Sequence, residues 1–378
     1  MRFGFHTTVE TAAAQRFSKD YGAARRQFLA LAEKARLPLK SYGNPHTSPA
    51  GEPLATDVAL QGPASAPKLL VTISATHGVE GFCGSGCQAD WLTETAGTAL
   101  PSGIAILHVH AINPYGFAWL RRGTEENVDL NRNFIDFSRN ELPENPEYDA
   151  LADAFVPASL DPAVVAAGEA RIRAFREQHG ERALQKARGG GQYKHPTGMF
   201  YGGIAPTWAR QTLEQIFADY DLASRRQVAV IDYHTGLGPY GYGELICDHN
   251  PGTPNIETAL RWYGECVTVP LLGTSSSVPK HGTAGTDFWQ RHLGPRAIYG
   301  AIEYGTFSQE HGRGPMREDH VLHAAGAVDW NATETQRIKH SLRRHYFPDT
   351  QAWRELVLFR SRQVLTQALA GLTGEHAS

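Results

Sequence analysis

Two short polar segments of this sequence carry residue types that bind metal ions, and each directly follows a run of apolar residues. His77 and Glu80 have the spacing H-x-x-E, and His234 precedes a Thr-Gly pair. Neutral imidazole nitrogens and carboxylate oxygens bind zinc at about 2 Å, and three protein ligands leave a fourth position open for water, as in catalytic zinc sites. The three residues could form such a site, although H-x-x-E is common by chance and His234 could instead be satisfied by its neighbour Asp232.

A carboxylate and a set of basic and amide side chains follow two other apolar runs. Glu303 stands at the end of the run 297–302, where a carboxylate near a metal could take a proton from an attacking water and pass it to a leaving amine. Arginine binds planar carboxylates bidentately and can polarise a carbonyl oxygen, so arginines that follow the run 104–111 could hold a substrate. A structural ion pair for Glu303 and a solvated basic surface are the alternatives. The residues of the second set are Arg121, Arg122, Asn131 and Arg132.

Four continuous apolar or β-branched runs precede these polar residues. Continuous apolarity indicates burial on both faces, as in the central strands of a parallel or mixed sheet covered by helices. Ligands bind at the carboxyl ends of the strands in an open α/β sheet, so the polar residues should meet at one edge of the sheet. The runs span residues 68–74, 104–111, 227–233 and 297–302.

Helical periodicity between the runs predicts an α/β fold in one domain, residues 1–378. Residues 1–66 are predicted to contribute a leading helix or helix pair and two edge strands, 37–42 and 55–61, packed on the catalytic domain. The Gly-rich segment 189–203 is predicted to be a structured loop over a surface. Further helices are predicted within residues 83–94, 162–178, 206–223, 256–266 and 353–372.

The composition excludes several classes of protein. The formal charge of −3, from 36 basic and 39 acidic residues, and the pI of about 6.6 give no electrostatic footprint for nucleic acid or for an anionic membrane. There is no 18-residue apolar run, and residues 1–5 do not show the basic segment followed by an apolar run that is typical of a secretory leader. The four cysteines, none in a C-x-x-C pair, are too sparse for a disulfide framework. We therefore expect a cytoplasmic protein with reduced cysteines that binds neither nucleic acid nor membrane.

Together the polar segments resemble the zinc carboxypeptidase superfamily, which includes the metallocarboxypeptidases and the succinylglutamate desuccinylase/aspartoacylase branch. The shared pattern is an H-x-x-E pair, an N-P-x-G turn, an arginine, a D-x-N-R stretch, a lone histidine after a later strand, and a glutamate in an E-x-G-T-like setting. All six occur here in that order between His77 and Thr306, over about 230 of the 378 residues. The combination is far more specific than any one part.

The resemblance implies a fold, a cofactor and a role for each residue. The fold would be a three-layer α/β/α sandwich around a mixed, mainly eight-stranded sheet, and the cofactor would be one Zn²⁺ ion. The implied roles are zinc ligation by His77, Glu80 and His234, general base and acid catalysis by Glu303, oxyanion stabilisation by Arg122 with Arg121 as the fallback, and binding of the substrate carboxylate by Asn131 and Arg132.

The activity implied by the resemblance is hydrolysis of an amide bond next to a free carboxylate, as by a carboxypeptidase acting on a small peptide. A deacylase of the aspartoacylase type, acting on an N-acyl amino acid, is the alternative. Peptide-cleaving members usually carry a tyrosine that closes over the substrate about twenty residues before the catalytic glutamate, and residues 275–286 contain none. This departure favours small or unusual substrates. The candidates to replace the tyrosine are His281, Tyr240 and Tyr242.

Three other functions fit the sequence less well. His108 and His110 form an H-x-H pair on a strand, as at the start of amidohydrolase barrels, but a metal-bridging lysine and further ligands at barrel spacing are absent. Neither Ser85 nor Ser275 lies in the G-x-S-x-G turn of a serine hydrolase. A non-catalytic binding protein on the same fold would be favoured if the metal set or Glu303 were incomplete, and both are present.

Overall fold

A mixed sheet of eight strands runs through the centre of the structure, a computed structural model that describes residues 5–139 and 141–374. Its strands in chain order are β1 (Leu39–Thr47), β2 (Pro53–Gln61), β3 (Lys68–Ile73), β4 (Ile104–His110), β5 (Gln227–Tyr240), β6 (Gly243–Ile246), β7 (Val267–Thr268) and β8 (Ala297–Gly305). They lie side by side in the order β1-β2-β4-β3-β5-β8-β6-β7. β4, β3, β5 and β8 are parallel, whereas β2 is antiparallel to β1 and β4, and β6 is antiparallel to β8. The predicted mixed eight-stranded sheet is confirmed.

The four apolar runs form the four adjacent central strands, β4, β3, β5 and β8. Because successive side chains of a strand point to opposite faces, neighbouring residues enter two separate cores. Leu70 and Ile231 belong to one core, and Val71 and Val230 to the other. The carboxyl ends of these parallel strands lie at one edge of the sheet, and the polar residues that follow them therefore come together.

Helices cover both faces of the sheet, which confirms the three-layer arrangement. The helices are α1 (Val9–Gln15), α2 (Tyr21–Lys34), α3 (Gly81–Glu94), α4 (Pro114–Ala118), α5 (Pro146–Phe155), α6 (Pro162–His179), α7 (Glu181–Gly189), α8 (Trp208–Asp219), α9 (Pro254–Tyr263), α10 (Arg291–Leu293), α11 (Gln309–Ala324), α12 (Thr333–Tyr346) and α13 (Gln351–Thr373). One core packs α1, α3, α9 and α13 against the sheet, and the other packs α8 and the π-helical turn Ala284–Gln290. Each helix predicted from periodicity is present within a few residues of its expected bounds.

Local sequence explains where several helices begin. The side chains of Asp20, Ser308 and Thr350 each accept a hydrogen bond from the backbone N–H three residues further on, at the start of α2, α11 and α13. The first N–H groups of a helix have no partner within it, so such a cap stabilises that end.

β2 lies inside the sheet, whereas the sequence predicts an edge strand at 55–61. It pairs with β1 on one side and with β4 on the other, and β1 is the edge strand. The polar residues of β2 are buried with partners from elsewhere in the chain: Asp57 accepts hydrogen bonds from Arg25 and Ser41, and Thr56 donates to the Ala111 carbonyl. The edge prediction is wrong because these partners lie far from β2 in the sequence and cannot be recognised from the strand itself.

Two further observations bear on the expected class of protein. Over the described residues, no helix has both the length and the apolar character that crossing a membrane requires. All four cysteines are free thiols, and three of them are buried.

Candidate metal centre

His77, Glu80 and His234 bring their ligand atoms together at the carboxyl end of the central strands. His77 follows β3 and leads into the 3-10 turn Gly78–Glu80, and His234 lies in β5. His77 Nδ1 is 3.2 Å from His234 Nδ1 and 3.1 Å from Glu80 Oε1, and His234 Nδ1 is 3.6 Å from Glu80 Oε2. The three residues are at most 4% exposed, so their ligand atoms surround a buried position.

These separations suit a tetrahedral metal site. Zinc ligands lie about 2.0–2.1 Å from the ion, which puts two ligand atoms of a tetrahedron about 3.3–3.4 Å apart. His77 Nδ1 lies close to that distance from both His234 Nδ1, at 3.2 Å, and Glu80 Oε1, at 3.1 Å, while the other oxygen of Glu80 lies 3.6 Å from His234 Nδ1. Two imidazoles and a carboxylate are also the donor types of catalytic zinc sites, so the residues present fit a zinc ion with one ligand position left over.

Two carboxylates stand behind the imidazoles. Asp129 Oδ1 and Arg122 Nη2 lie 3.0 and 2.9 Å from His77 Nε2, and a His77 ring that keeps Nδ1 free for a metal carries its proton on Nε2 and donates it to Asp129. Asp232 Oδ2 is 3.1 Å from His234 Nε2, although not aligned as a hydrogen bond, and Asp232 is itself held by Thr76. Metal-binding histidines usually present their second nitrogen to a carboxylate, which fixes the ring and strengthens the ligand nitrogen.

The two buried carboxylates at the centre remain charged. Burial alone would raise the pKa of Glu80, but its contacts with His77, His234 and Arg122 hold that pKa below its ordinary value. Burial likewise opposes the charge of Asp129, and Arg122 and His77 lower its pKa well below the usual range. The centre therefore offers negative charge at neutral pH, as a cation site requires.

A close backbone contact positions the turn that carries the first two ligands. Gly78 N–H donates to the Arg122 carbonyl, and Val79 N–H donates to the Arg121 carbonyl. Gly78 packs so tightly on Gly116 that a Cβ atom at Gly78 would lie 2.0 Å from the Gly116 carbonyl carbon. The N-P-x-G motif thus supplies a glycine against which the H-x-x-E turn is seated.

Arg122 lies at the centre, and Arg121 points away from it. Arg122 donates to Glu80 Oε1 at 2.8 Å and to Asp129 Oδ2 at 3.0 Å. Arg121 instead forms a buried ion pair with Asp319 at 3.0 Å and does not line the cavity in front of the metal ligands. Of the two arginines, only Arg122 is positioned to contact a substrate.

Glu303 reaches the same place from β8. In the register of β5 and β8, His234 and Glu303 are direct partners, so the two strands place them side by side. Glu303 Oε1 accepts a hydrogen bond from Leu237 N–H at 3.1 Å. Burial, together with the negative charge of Glu80, raises the pKa of Glu303 to about 7. A carboxyl group with that pKa can both take up and release a proton near neutral pH.

Asn131 and Arg132 are held by backbone groups. Asn131 Oδ1 accepts from Ala284 N–H at 2.8 Å. Arg132 donates to the Gly189 carbonyl through Nε at 3.2 Å and Nη2 at 2.6 Å, and its guanidinium lies 5.6 Å from the centre of the Phe200 ring. Gly189 and Phe200 belong to the Gly-rich segment, which therefore borders the site. Arginine has five N–H donors, so some remain for a ligand.

A cavity lies in front of these residues. The predicted residues that line it are His77, Arg122, Asn131, Arg132, His234 and Glu303. Among the other residues that line it, Arg188, Asp248, Lys280 and Tyr346 were not singled out from the sequence. Arginine and lysine outnumber carboxylates in the lining by four to two, so the cavity suits an anionic molecule.

The cavity lining includes none of the three side chains predicted to replace the missing tyrosine, which are His281, Tyr240 and Tyr242. Lys280 lines the cavity instead and donates to the Ser277 hydroxyl. It stands 23 residues before Glu303, in the segment where the tyrosine is expected, and that spacing is the signal that could have identified it. Tyr346 enters the cavity from the end of α12.

The H-x-H pair of β4 is part of the core. His108 Nδ1 is hydrogen-bonded to Thr72 Oγ1, and His110 is hydrogen-bonded to Ser85 Oγ and stacks on Phe28 at 4.6 Å between ring centres. Burial lowers the pKa of His108 to about 3 and that of His110 to about 4, so both rings are neutral. Neither lines the cavity.

Comparison with protein families gives one assignment. The model of a family described as "Protein of unknown function (DUF2817)" matches residues 17–360. No curated protein matches the sequence.

Solved structures with a similar fold include proteins of both kinds named by the sequence resemblance. Carboxypeptidase A from Helicoverpa armigera is 12% identical, with 96% of this chain and 78% of that chain covered and a TM-score of 0.49. Succinylglutamate desuccinylase from Chromobacterium violaceum is 15% identical, with coverages of 85% and 74% and a TM-score of 0.38. An aspartoacylase family protein from Mesorhizobium loti is 12% identical, with coverages of 78% and 69% and a TM-score of 0.37. Because these TM-scores lie below 0.5, none of the likenesses bears on activity.

Proposed function

The chain belongs to the DUF2817 family of proteins of unknown function, and we propose that it is a zinc-dependent hydrolase that cleaves an amide bond next to a free carboxylate. One observation carries this proposal. His77, Glu80 and His234 bring ligand atoms within 4.8 Å of one another beside the buried carboxylate of Glu303, at the head of a cavity that Arg122 and Arg132 also line. The metal ligands, the carboxylate that would transfer the proton and the side chains that would bind an anion thus lie around one cavity.

The residues divide the reaction between them. Zinc, when bound, would supply Lewis acidity to the scissile carbonyl and to the attacking water. Glu303 would accept the proton of that water and return it to the leaving nitrogen. Arg122, beside the metal ligands, would stabilise the negative charge that develops on the carbonyl oxygen. Asn131 and Arg132 would hold the substrate carboxylate and so fix the scissile bond relative to Glu303.

Two substrate classes present such a bond, a peptide with a free C-terminus and an N-acyl amino acid. The carboxypeptidase-type reaction uses all the groups above and is the first candidate. The deacylase is the second candidate, because no tyrosine from residues 275–286 closes over the cavity and Lys280 stands there instead.

The test combines metal analysis with one substitution. We expect the purified protein to contain about one zinc per chain, and Glu303→Gln to retain that zinc while its turnover falls by at least about a hundredfold, the usual contribution of a general base. His234→Ala, as the comparison variant, should lose the metal as well as the activity.

Zinc content is measured by elemental analysis. Activity is measured on a panel of short peptides and N-acetyl amino acids, and each compound is tested both with a free carboxylate and as its amide. The panel separates the two substrate classes. Undiminished hydrolysis by Glu303→Gln, activity in zinc-free protein, or equal rates on free and amidated substrates would contradict the proposed mechanism.

A further inference from the structure

Arg188 is a charged side chain of the cavity that forms no ion pair with any residue that the structure describes. It lies in the last turn of α7 and faces the cavity together with Gln185 and Gln309. Its Nη2 donates to Gln309 Oε1 at 2.7 Å, whereas its Nε atom is buried without a hydrogen-bond partner. Within residues 5–139 and 141–374, no carboxylate oxygen lies within ion-pair distance of this guanidinium.

The other arginines around the cavity differ in this respect. Arg122 is paired with Glu80 and Asp129, and Arg313, a neighbour of Arg188, contacts Glu169 and Glu310.

The guanidinium of Arg132 is also hydrogen-bonded within the protein, because it donates three hydrogen bonds to the backbone carbonyls of Asn131 and Gly189. Arg188 alone of these four combines a buried unsatisfied donor with the lack of any carboxylate or backbone-carbonyl partner among the described residues, its one acceptor being the side-chain amide of Gln309.

Arg188 is half-buried, and the unpaired donor at its buried Nε atom is costly unless a ligand completes it. Burial, reinforced by the positive charge of Arg313, lowers the pKa of Arg188 to about 10, so the guanidinium still carries its charge at neutral pH. A buried charge is normally paired or hydrogen-bonded, because its desolvation is otherwise uncompensated. The planar guanidinium matches a carboxylate, which can accept two of its N–H groups at once.

The position of Arg188 distinguishes it from the carboxylate site at Arg132. The charged or ionisable neighbours of Arg188 are Arg313, Tyr346, Glu181 and Arg122. Those of Arg132 include Asp129, Arg122 and Asp248. Only Arg122 is common to both sets, so Arg188 and Arg132 have different surroundings in the cavity.

We propose that Arg188 binds a second carboxylate of the substrate, carried by the residue on the acyl side of the scissile bond. The position of that bond rests on the proposed function. The preferred substrates would then be peptides in which glutamate or aspartate precedes the last residue. The excess of cationic side chains in the cavity lining agrees with a substrate that carries two negative charges.

The experiment measures binding without turnover. N-acetyl-Glu-Ala and N-acetyl-Gln-Ala, which differ in one charge but hardly in shape, are titrated calorimetrically into Glu303→Gln protein. A hydrogen bond to a charged group makes a substantial net contribution, so we expect the glutamyl peptide to bind about tenfold more tightly or better. Adding Arg188→Gln should abolish this preference and leave the affinity for the glutaminyl peptide within about twofold. Arg188→Lys, which keeps the charge, should retain part of the preference.

Arg173→Gln is the matched control, because Arg173 is exposed on the neighbouring α6 and removing it makes the same change in net charge. It should leave the preference intact. Equal affinity for the two peptides, no measurable binding of either, or a preference that survives Arg188→Gln would overturn the proposal. Because no turnover is measured, a lack of hydrolysis by the unsubstituted protein would contradict the proposed function and leave this result standing.

Discussion

Each imidazole of the candidate zinc site is oriented by an acidic side chain behind it. Asp129 is hydrogen-bonded to His77 Nε2 and Asp232 lies against His234 Nε2, so both rings direct Nδ1 at the shared position. A carboxylate at the second nitrogen fixes the tautomer and makes the first nitrogen a better ligand. These two aspartates therefore contribute to the site although neither would touch the metal.

Single residues differ in how well the sequence predicts them. Asp129 belongs to the D-x-N-R stretch and Asp232 adjoins His234, so both stood in motifs already recognised. Arg188 has no such signal. It lies in the last turn of α7, and which residues at a helix end face a cavity depends on packing against distant elements, which hydrophobic periodicity does not encode.

In protein without metal, the free-energy cost of ionising Glu303 should become measurable as a loss of folding stability. Its folded pKa of about 7 lies above the ordinary value of 4.5, so the folded protein holds a proton that the unfolded chain releases, and stability falls as pH rises from about 4.5 to about 7. Glu303→Gln abolishes this loss. In chelator-treated protein, we expect the stability advantage of the variant to grow by about 2–3 kcal/mol between pH 5 and pH 8.

Urea unfolding at the two pH values measures this difference. Glu147→Gln is the control, because Glu147 lies exposed in the first turn of α5 and its replacement should give no comparable pH-dependent gain. A constant difference between Glu303→Gln and the unsubstituted protein across this range would show that Glu303 ionises like an exposed carboxylate.

At the scale of elements, the metal centre depends on the register of strands that are distant in sequence. β5 pairs with β3 and β8, and this places the ends of the three strands together. Continuous apolar runs reveal that these strands are central, which is why their polar ends could be expected to meet. The internal position of β2 was not visible in the same way, because the partners that bury its polar residues come from α2 and β1.

The metal centre depends on the close packing of the H-x-x-E turn, at Gly78, against the backbone of Gly116. A methyl group at Gly78 would overlap the Gly116 backbone, which cannot move like the end of a side chain. Overpacking of this kind usually costs about 1–3 kcal/mol. We therefore expect Gly78→Ala to lower the thermal stability of the purified protein. We also expect it to reduce the zinc content, because the turn sets the position of Glu80 relative to His77.

Gly314→Ala is the matched control for this substitution. Gly314 lies in α11 with open space around it, and alanine should stabilise a helix there by up to about 1 kcal/mol. Thermal unfolding and elemental analysis of both variants make the comparison. Unchanged stability and full zinc content in Gly78→Ala would mean that the turn is not seated on Gly116 as described.

At the scale of the whole molecule, a buried ionic cluster joins α3 to the last helix and to the residues around α1. Arg362 of α13 donates to both oxygens of Asp90 in α3, at 2.7 and 2.8 Å, and to the Thr7 carbonyl. Arg16, just after α1, lies 3.4 Å from Glu94, which also accepts from the N–H groups of His6 and Thr7. The N-terminal segment is thus tied to helices that cover the same face of the sheet.

This cluster leads to a prediction about the unfolding of the entire chain. Replacing Arg362 by methionine preserves much of the packing but leaves Asp90 buried without its bidentate partner, and breaking a buried pair in this way costs about 3–5 kcal/mol. If residues 1–66 and the rest of the chain form one cooperative domain, as we propose, the loss should appear as a shift of a single urea transition that tryptophan fluorescence and circular dichroism report alike. Arg344→Met, at an exposed position of α12, should leave the midpoint nearly unchanged. A second, earlier transition in Arg362→Met would show instead that the N-terminal segment and α13 separate from a core that stays folded.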